Sequence, residues 1–496
     1  MPDLSSARAR VRLLALGAAL VAFTGYRFGV SAFAWVAPVP FLLVLRSRAD
    51  WKNRALVFCV LVVATTLSVG KIISDPVPAI LAVPFAFPGA VGSFLTLLAS
   101  DALRRRVGEI GGALGFAAAT ALVEIAQHAS MPLGTWSSLA VTQIEHVTLL
   151  QLASLFGVAG IAFVMSLFAA SLATAIAAPT AVCTRRLLAG SALLLAVVLV
   201  FGAFRIDRRQ DGPVVRAAAV VTDLGLGKDG VPPSDVLLSN QEGLFARSEL
   251  AVSRGAELVA WNEGATFVEP VDEPALVARG QTFARANGVD LVLAYAVVLR
   301  DSPLLLDNKY VWLGPDGSVV ETYRKHHPVP GEPSLRGDDR AAAHDHAWGR
   351  AAGAICYDYD FPSTSRMHAR LGAGLVVVPS SDWRGIDPVH TEITRLRAIE
   401  AGVSVVRPTR FAASAAYDAY GRTRAALVPG DWHDGVMLAT VPTTLVPTLY
   451  ARAGDWPLGL GAGALLLVLQ ILALRKREGG DHHVGPAAGF SLQTPP

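Results

Sequence analysis

The sequence predicts a helical membrane bundle that carries a layered α/β domain, and three observations predict it. Hydrophobic residues fill 52% of the 496 positions and charged residues only 17%, a balance too apolar for a water-soluble chain of this length. The apolar residues concentrate at 11–204 and again at 457–474. Between about 214 and 445, β-branched runs alternate with helical patterns, as they do where sheets and helices stack in layers.

Taken in order, the candidate spans are 11–28, 32–45, 55–73, 77–99, 110–129, 147–178, 187–204 and 457–474; the shorter ones need tilt or local thinning of the bilayer. Five basic groups fall on alternate loops or tails: Arg8 to Arg12, Arg46 to Arg54, Arg104 to Arg106, Arg185 with Arg186, and Arg475 to Arg477. The positive-inside bias therefore places both termini in the cytoplasm and the polar insert outside it. Arg205, Arg208 and Arg209 lie on the other side, where they open a long domain that translocates despite such charge. The first apolar segment leads straight into further spans without a small-residue cleavage site, so it reads as an anchor. The expected units are a seven-span bundle (1–204), an extracytoplasmic domain (205–450), a last span (457–474) and a disordered cytoplasmic tail (475–496).

A net charge of +3, with no basic run interleaved with aromatics, argues against nucleic acid as a partner. Of the three cysteines, Cys59 and Cys183 belong to the bundle. The exported domain owns Cys356 alone and cannot close an internal disulfide; a thiol kept single in an oxidising compartment implies a task.

Within the insert, "VVRAAAVVT", "AELVAWNE", "DLVLAYAVVL", "KYVWLG", "GRAAGAICYD", "GLVVVPSSD" and "GVSVVRPT" read as strands, and 234–254, 272–287, 361–371 and 388–401 as helices. Glu263 closes one strand, Lys325 follows another, and Cys356 is expected at the end of a third, so the three side chains meet at a sheet edge. A carboxylate can take a thiol proton, an ammonium can stabilise an oxyanion, and a thiolate can attack a carbonyl. Together they make a covalent acyl-transfer set.

The words around these residues, "AWNEGAT", "YRKHHPVPGEP" and "AICYDYD", resemble the nitrilase superfamily. With the membrane bundle they resemble the apolipoprotein N-acyltransferase family. The resemblance implies an α-β-β-α sandwich for the exported domain, with Glu263 as general base, Lys325 as oxyanion stabiliser, Cys356 as nucleophile and Glu332 as a positioning glutamate. It also implies a bacterial inner membrane, a phospholipid acyl donor, a diacylglyceryl lipoprotein acceptor, and neither cofactor nor metal. Asn308 in "DNKYVWL", the segment "PLGTWSSLAVTQIEHVTLLQLASLFGVAGIAFV" and the stretch "HTEITRLRAIEAGVSVVRPT" match the family as well. Departures are "WNE" for "WPE", a shortened "VPGE", Asp358 in place of a glutamate, Ser381 in place of an asparagine, and "VVTDLGLG" after the first strand. Two other readings use the same chain: a membrane-tethered amidase with this triad, and a lipid- or lipoprotein-binding domain without turnover.

Tyr357, Asp358 and Trp383 are the expected substrate-binding residues, and Trp383 with Tyr357 and Tyr359 is expected to shape a lipid entry. Glu124, Gln127 and His128 near the outer end of the fifth span read as interhelical contacts. "HDH" at 344–346 and "DHH" at 481–483 lack the spacing of a built metal site and read as solvated loop and tail.

Overall fold

The computed structural model describes residues 6–48, 50–227, 230–338, 340–429 and 434–481. All eight expected spans are helical, but among the described residues six helices are long and apolar enough to cross a membrane. Ala7–Ala22 is one of the short ones, and Ser31–Ser47 is divided where Pro38 starts a second helix. The expected span 147–178 is divided into a short helix, Val147–Leu150, and a long one, Ala153–Ala177, which bends at Gly157, whose φ of 62° is open to glycine. A Cβ there would lie 2.5 Å from the Tyr450 ring, so the bend seats the chain against that aromatic.

The three polar residues of the fifth span do make contacts between elements. Glu124 accepts from the Leu139 amide at 2.8 Å, Gln127 donates to the Pro88 carbonyl at 2.8 Å, and His128 lies 3.2 Å from Asp455. At one end of the bundle, Arg46 and Arg104 share Glu109, and Arg104 and Arg105 both hold Asp101. At the other end, loops support the α/β domain: the Ile72 carbonyl accepts from Trp383 at 2.7 Å and the Pro132 carbonyl from Tyr357 at 2.6 Å. The helix Trp51–Gly70, about 30 Å long at ~1.5 Å per residue, joins the two ends.

The domain is two sheets face to face. One has the order Val436–Pro442, Val214–Val220, Leu258–Trp261, Asp290–Asp301, Leu304–Leu313, Val319–Arg324, and the other Thr423–Leu427, Ser414–Tyr417, Ser404–Arg407, Leu375–Val377, Gly349–Gly353, His344–His346. Trp261, Tyr310 and Trp312 of the first pack with Leu375, Val377 and Val406 of the second in one buried cluster. Helices Ser234–Ser253 and Glu273–Asn287 cover the first sheet, and Val389–Ala401 covers the second, which completes the expected α-β-β-α sandwich. Leu396 and Ile399 of that last helix share a core with Leu150, Ala153 and Val158 of the bundle, so the domain is bedded on the membrane helices rather than tethered to them.

Three expectations change. The strand expected to reach Cys356 ends at Gly353, and Cys356 opens a turn. "HDH" is an edge strand whose His346 is stacked on Trp312 and Trp348 and bonded to Asp290. The last helix continues past Leu474 to Asp481, into the segment expected to be disordered; 482–496, including the remainder of "DHH", lie outside the described residues.

Candidate active site

Lys325 follows the strand Val319–Arg324, its amide bonded to the Asn308 carbonyl at 3.0 Å. This fixes the ammonium between two carboxylates: Nζ lies 2.8 Å from Glu263 Oε1 and 2.7 Å from Glu332 Oε2. Asn308 Nδ2 donates to the same two side chains, at 2.7 and 3.1 Å. Glu332 is further held by the Val329 amide and the Ser334 hydroxyl. The second oxygen of Glu263 is buried and has no hydrogen-bond partner.

Cys356 has a φ of 48°, a conformation that a residue with a Cβ seldom adopts and that marks strain held by its surroundings. Its amide donates to the Pro379 carbonyl at 2.9 Å, and its Sγ lies 3.8 Å from the Ser381 carbonyl and 4.0 Å from Asp382 Oδ1. Asp358 clamps the turn. Its carboxylate accepts from the Tyr323 hydroxyl at 3.0 Å and from the amides of His327, His326 and Ile355 at 2.6, 3.2 and 3.3 Å. Asp358, expected among the substrate-binding residues, is fully buried, and both of its oxygens tie the lysine loop to the nucleophile turn.

Burial, and then the Glu263 charge, push the Cys356 thiol well above its ordinary pKa; Lys325 pulls the other way. Burial works against the Lys325 ammonium, but Glu263, Glu332 and Cys356 outweigh it and keep the pKa raised. The resting site is therefore a thiol beside a buried carboxylate–ammonium–carboxylate array. Such an array can remove the thiol proton and stabilise negative charge on a carbonyl oxygen.

Residues 235–449 match the carbon-nitrogen hydrolase family, and residues 17–171 match the apolipoprotein N-acyltransferase N-terminal domain. The two matches lie on one chain in the order bundle then sandwich. Over nearly its whole length the chain is similar to apolipoprotein N-acyltransferases. Among relatives bearing that name, the protein of Geobacter metallireducens is 27% identical over 97% of this chain and 98% of its own. That of Bradyrhizobium diazoefficiens is 28% identical over 70% of each, and that of Shewanella oneidensis is 40% identical over 24% of this chain and 23% of its own.

A buried network behind the nucleophile goes beyond the residues expected from the sequence. Asp382 is held by Arg407 at 3.0 Å and by His390 Nδ1 at 2.8 Å; His390 Nε2 lies 3.0 Å from Asp360, which accepts from the bundle residue Trp136 at 2.6 Å. Burial opposes ionisation of Asp382, but Arg407 and His390 overcome it and hold the carboxylate below its usual range. The potential ligand atoms of Cys356, Asp382 and His390 lie within 4.8 Å of one another. With both imidazole nitrogens on carboxylates and a guanidinium on Asp382, however, the charges are those of an ion-pair network rather than a cation site. Tyr357 and Trp383 lie beside the nucleophile segment with their polar atoms bonded to the bundle loops. "SSDW" and "VVRPT" carry Asp382 and Arg407, but no regular spacing links the two in the sequence.

Proposed function

We propose that the protein moves a fatty acyl chain from a phospholipid to the α-amine of the diacylglyceryl cysteine that begins a lipoprotein, through a thioester on Cys356. The observation that carries this reading is the unpaired oxygen of Glu263 in a site whose other carboxylate oxygens are engaged. In the first half-reaction Glu263 takes the Cys356 proton, the thiolate attacks the ester carbonyl carbon, and Lys325 meets the oxyanion. The C–O bond then breaks, and the lysophospholipid leaves with the proton that Glu263 held. In the second half-reaction Glu263 takes a proton from the amine as it attacks the thioester. The C–S bond breaks, the amide forms, and the thiol recovers its proton.

Glu332 and Asn308 position Lys325 and Glu263, while Tyr357 and Trp383 form the lip where a chain leaves the bilayer. The domain 205–450 faces outward from a bacterial inner membrane and both termini face the cytoplasm, with the arginine-rich end of the bundle inward. Bundle and sandwich suit two substrates whose chains stay in lipid. The test is complementation of a bacterium depleted of its own N-acyltransferase, followed by mass analysis of a lipoprotein N-terminus. Three acyl chains are expected on the terminal cysteine; two would overturn the reading.

A further inference from the structure

Arg410 is a buried charge that the reaction above does not use. It belongs to the short strand Thr409–Arg410, paired with Ser380–Ser381, and is 8% exposed. Its Nε and Nη2 both donate to the Ser381 hydroxyl, at 3.1 and 2.6 Å, while Nη1 donates to the carbonyls of Leu224 and, at 3.3 Å, Gly264. All these acceptors are neutral. Among the described residues no carboxylate lies within ion-pair distance of this guanidinium, whereas the buried Arg407 and Arg397 have Asp382 and Glu400. Burying a cation without a directly bonded anion is costly, and a negative ligand would offset that cost.

The surroundings of Arg410 say where that ligand sits. Gly264 directly follows the general base, and the carbonyl of Ser381 faces the Cys356 sulfur. The guanidinium thus bridges the two walls between which an acyl ester must lie. Leu224, Gly225 and Ser381 around it are half-buried, and Gly225 approaches so closely that a Cβ there would stand 3.2 Å from Cζ. Burial pulls the guanidinium down to about 10, against support from Glu263, from Cys356 when it is ionised and from Asp223; at neutral pH it is a cation.

We propose that Arg410 is the subsite for the phosphodiester of the acyl donor. In a phospholipid the phosphate is one glycerol backbone from the reacting ester, so an ester carbonyl on Cys356 brings it to the neighbouring wall. A planar guanidinium with donors on two edges matches a phosphate's oxygens. The acceptor carries an amine at its reacting end, so Arg410 serves the first half-reaction. This inference rests on the acyl-transfer reading above.

The test compares acylation of Cys356 by a phospholipid and by a p-nitrophenyl ester of the same fatty acid, which has no phosphate, in wild type, Arg410→Gln and Arg410→Lys, each as the full chain in detergent. The ratio of phospholipid to p-nitrophenyl ester rates should fall about tenfold to a hundredfold in Arg410→Gln, the scale of a charged hydrogen-bonding partner, and recover in part in Arg410→Lys. Equal losses on both donors, or none, would mean that Arg410 only braces Ser381 and would overturn the subsite. A wild-type protein acylated by neither donor would instead overturn the acyl-transfer reading, and the subsite with it.

Discussion

Replacing Asp358 with alanine tests the clamp between the lysine loop and the nucleophile turn. The substitution removes the partner of the Tyr323 hydroxyl, of the His326, His327 and Ile355 amides and of His327 Nδ1, and the Ile355 amide belongs to a fully buried residue. A buried donor left without a partner costs about 1–3 kcal/mol, and the Ile355 amide alone sets a loss of that size. Asp358→Asn keeps the shape but turns an N–H toward donors that need an acceptor, and it should fall between wild type and alanine. Thermal unfolding in detergent gives the stability, and mass spectrometry of acylated Cys356 gives the rate of the first half-reaction. Both should drop together in Asp358→Ala, because one side chain holds both the turn and the amides after Lys325. An unchanged melting temperature, or a lowered one with normal acylation, would refute this reasoning.

Lys325→Arg should fail nearly as badly as Lys325→Ala, by more than about a hundredfold in acylation rate, because a planar fork cannot occupy the place of a compact ammonium set between two carboxylates; a near-normal rate would contradict this. His390 makes stability depend on pH. Burial opposes its charge, but Asp360 and Asp382 outweigh burial and Arg407 and raise it from 6.5 to about 9. A raised folded-state pKa gives stability that is complete below about 6.5 and is lost as pH rises through about 9, on the order of 3 kcal/mol at ~1.4 kcal/mol per pH unit. Melting curves across that range should be flatter for His390→Gln than for wild type; parallel curves would exclude the linkage.

Much of the architecture is legible in the sequence because it rests on local periodicity. The four helices of the insert fall within a residue of their expected limits, since amphipathic repeats and flanking Gly or Pro mark them. The hairpin Ser414–Tyr417 with Thr423–Leu427 and the returning strand Val436–Pro442 escape this reading. Their burial is decided by partners far away in the chain, and "SAAY" and "TRAAL" have little alternation of their own. Glu263, Lys325 and Cys356 could be singled out by residue type at element ends. The turn geometry of Cys356 could not, because "GAICY" reads as a continuous apolar strand until the Asp358 clamp folds it back. Asp382 is joined to His390 and Arg407, and Ser381 to Arg410, only by the tertiary fold, so these pairings leave no periodic trace.

The central claim is that Cys356 holds the acyl chain between two half-reactions, and the most direct measurement is the intact mass of the protein after incubation with phospholipid alone. Wild type should gain one fatty acyl mass that neutral hydroxylamine removes, as a thioester requires; Glu263→Gln should gain it far more slowly, and Cys356→Ala not at all. A wild-type protein that acylates a lipopeptide without ever showing the hydroxylamine-labile mass, together with a Cys356→Ala variant that still turns over, would contradict the account.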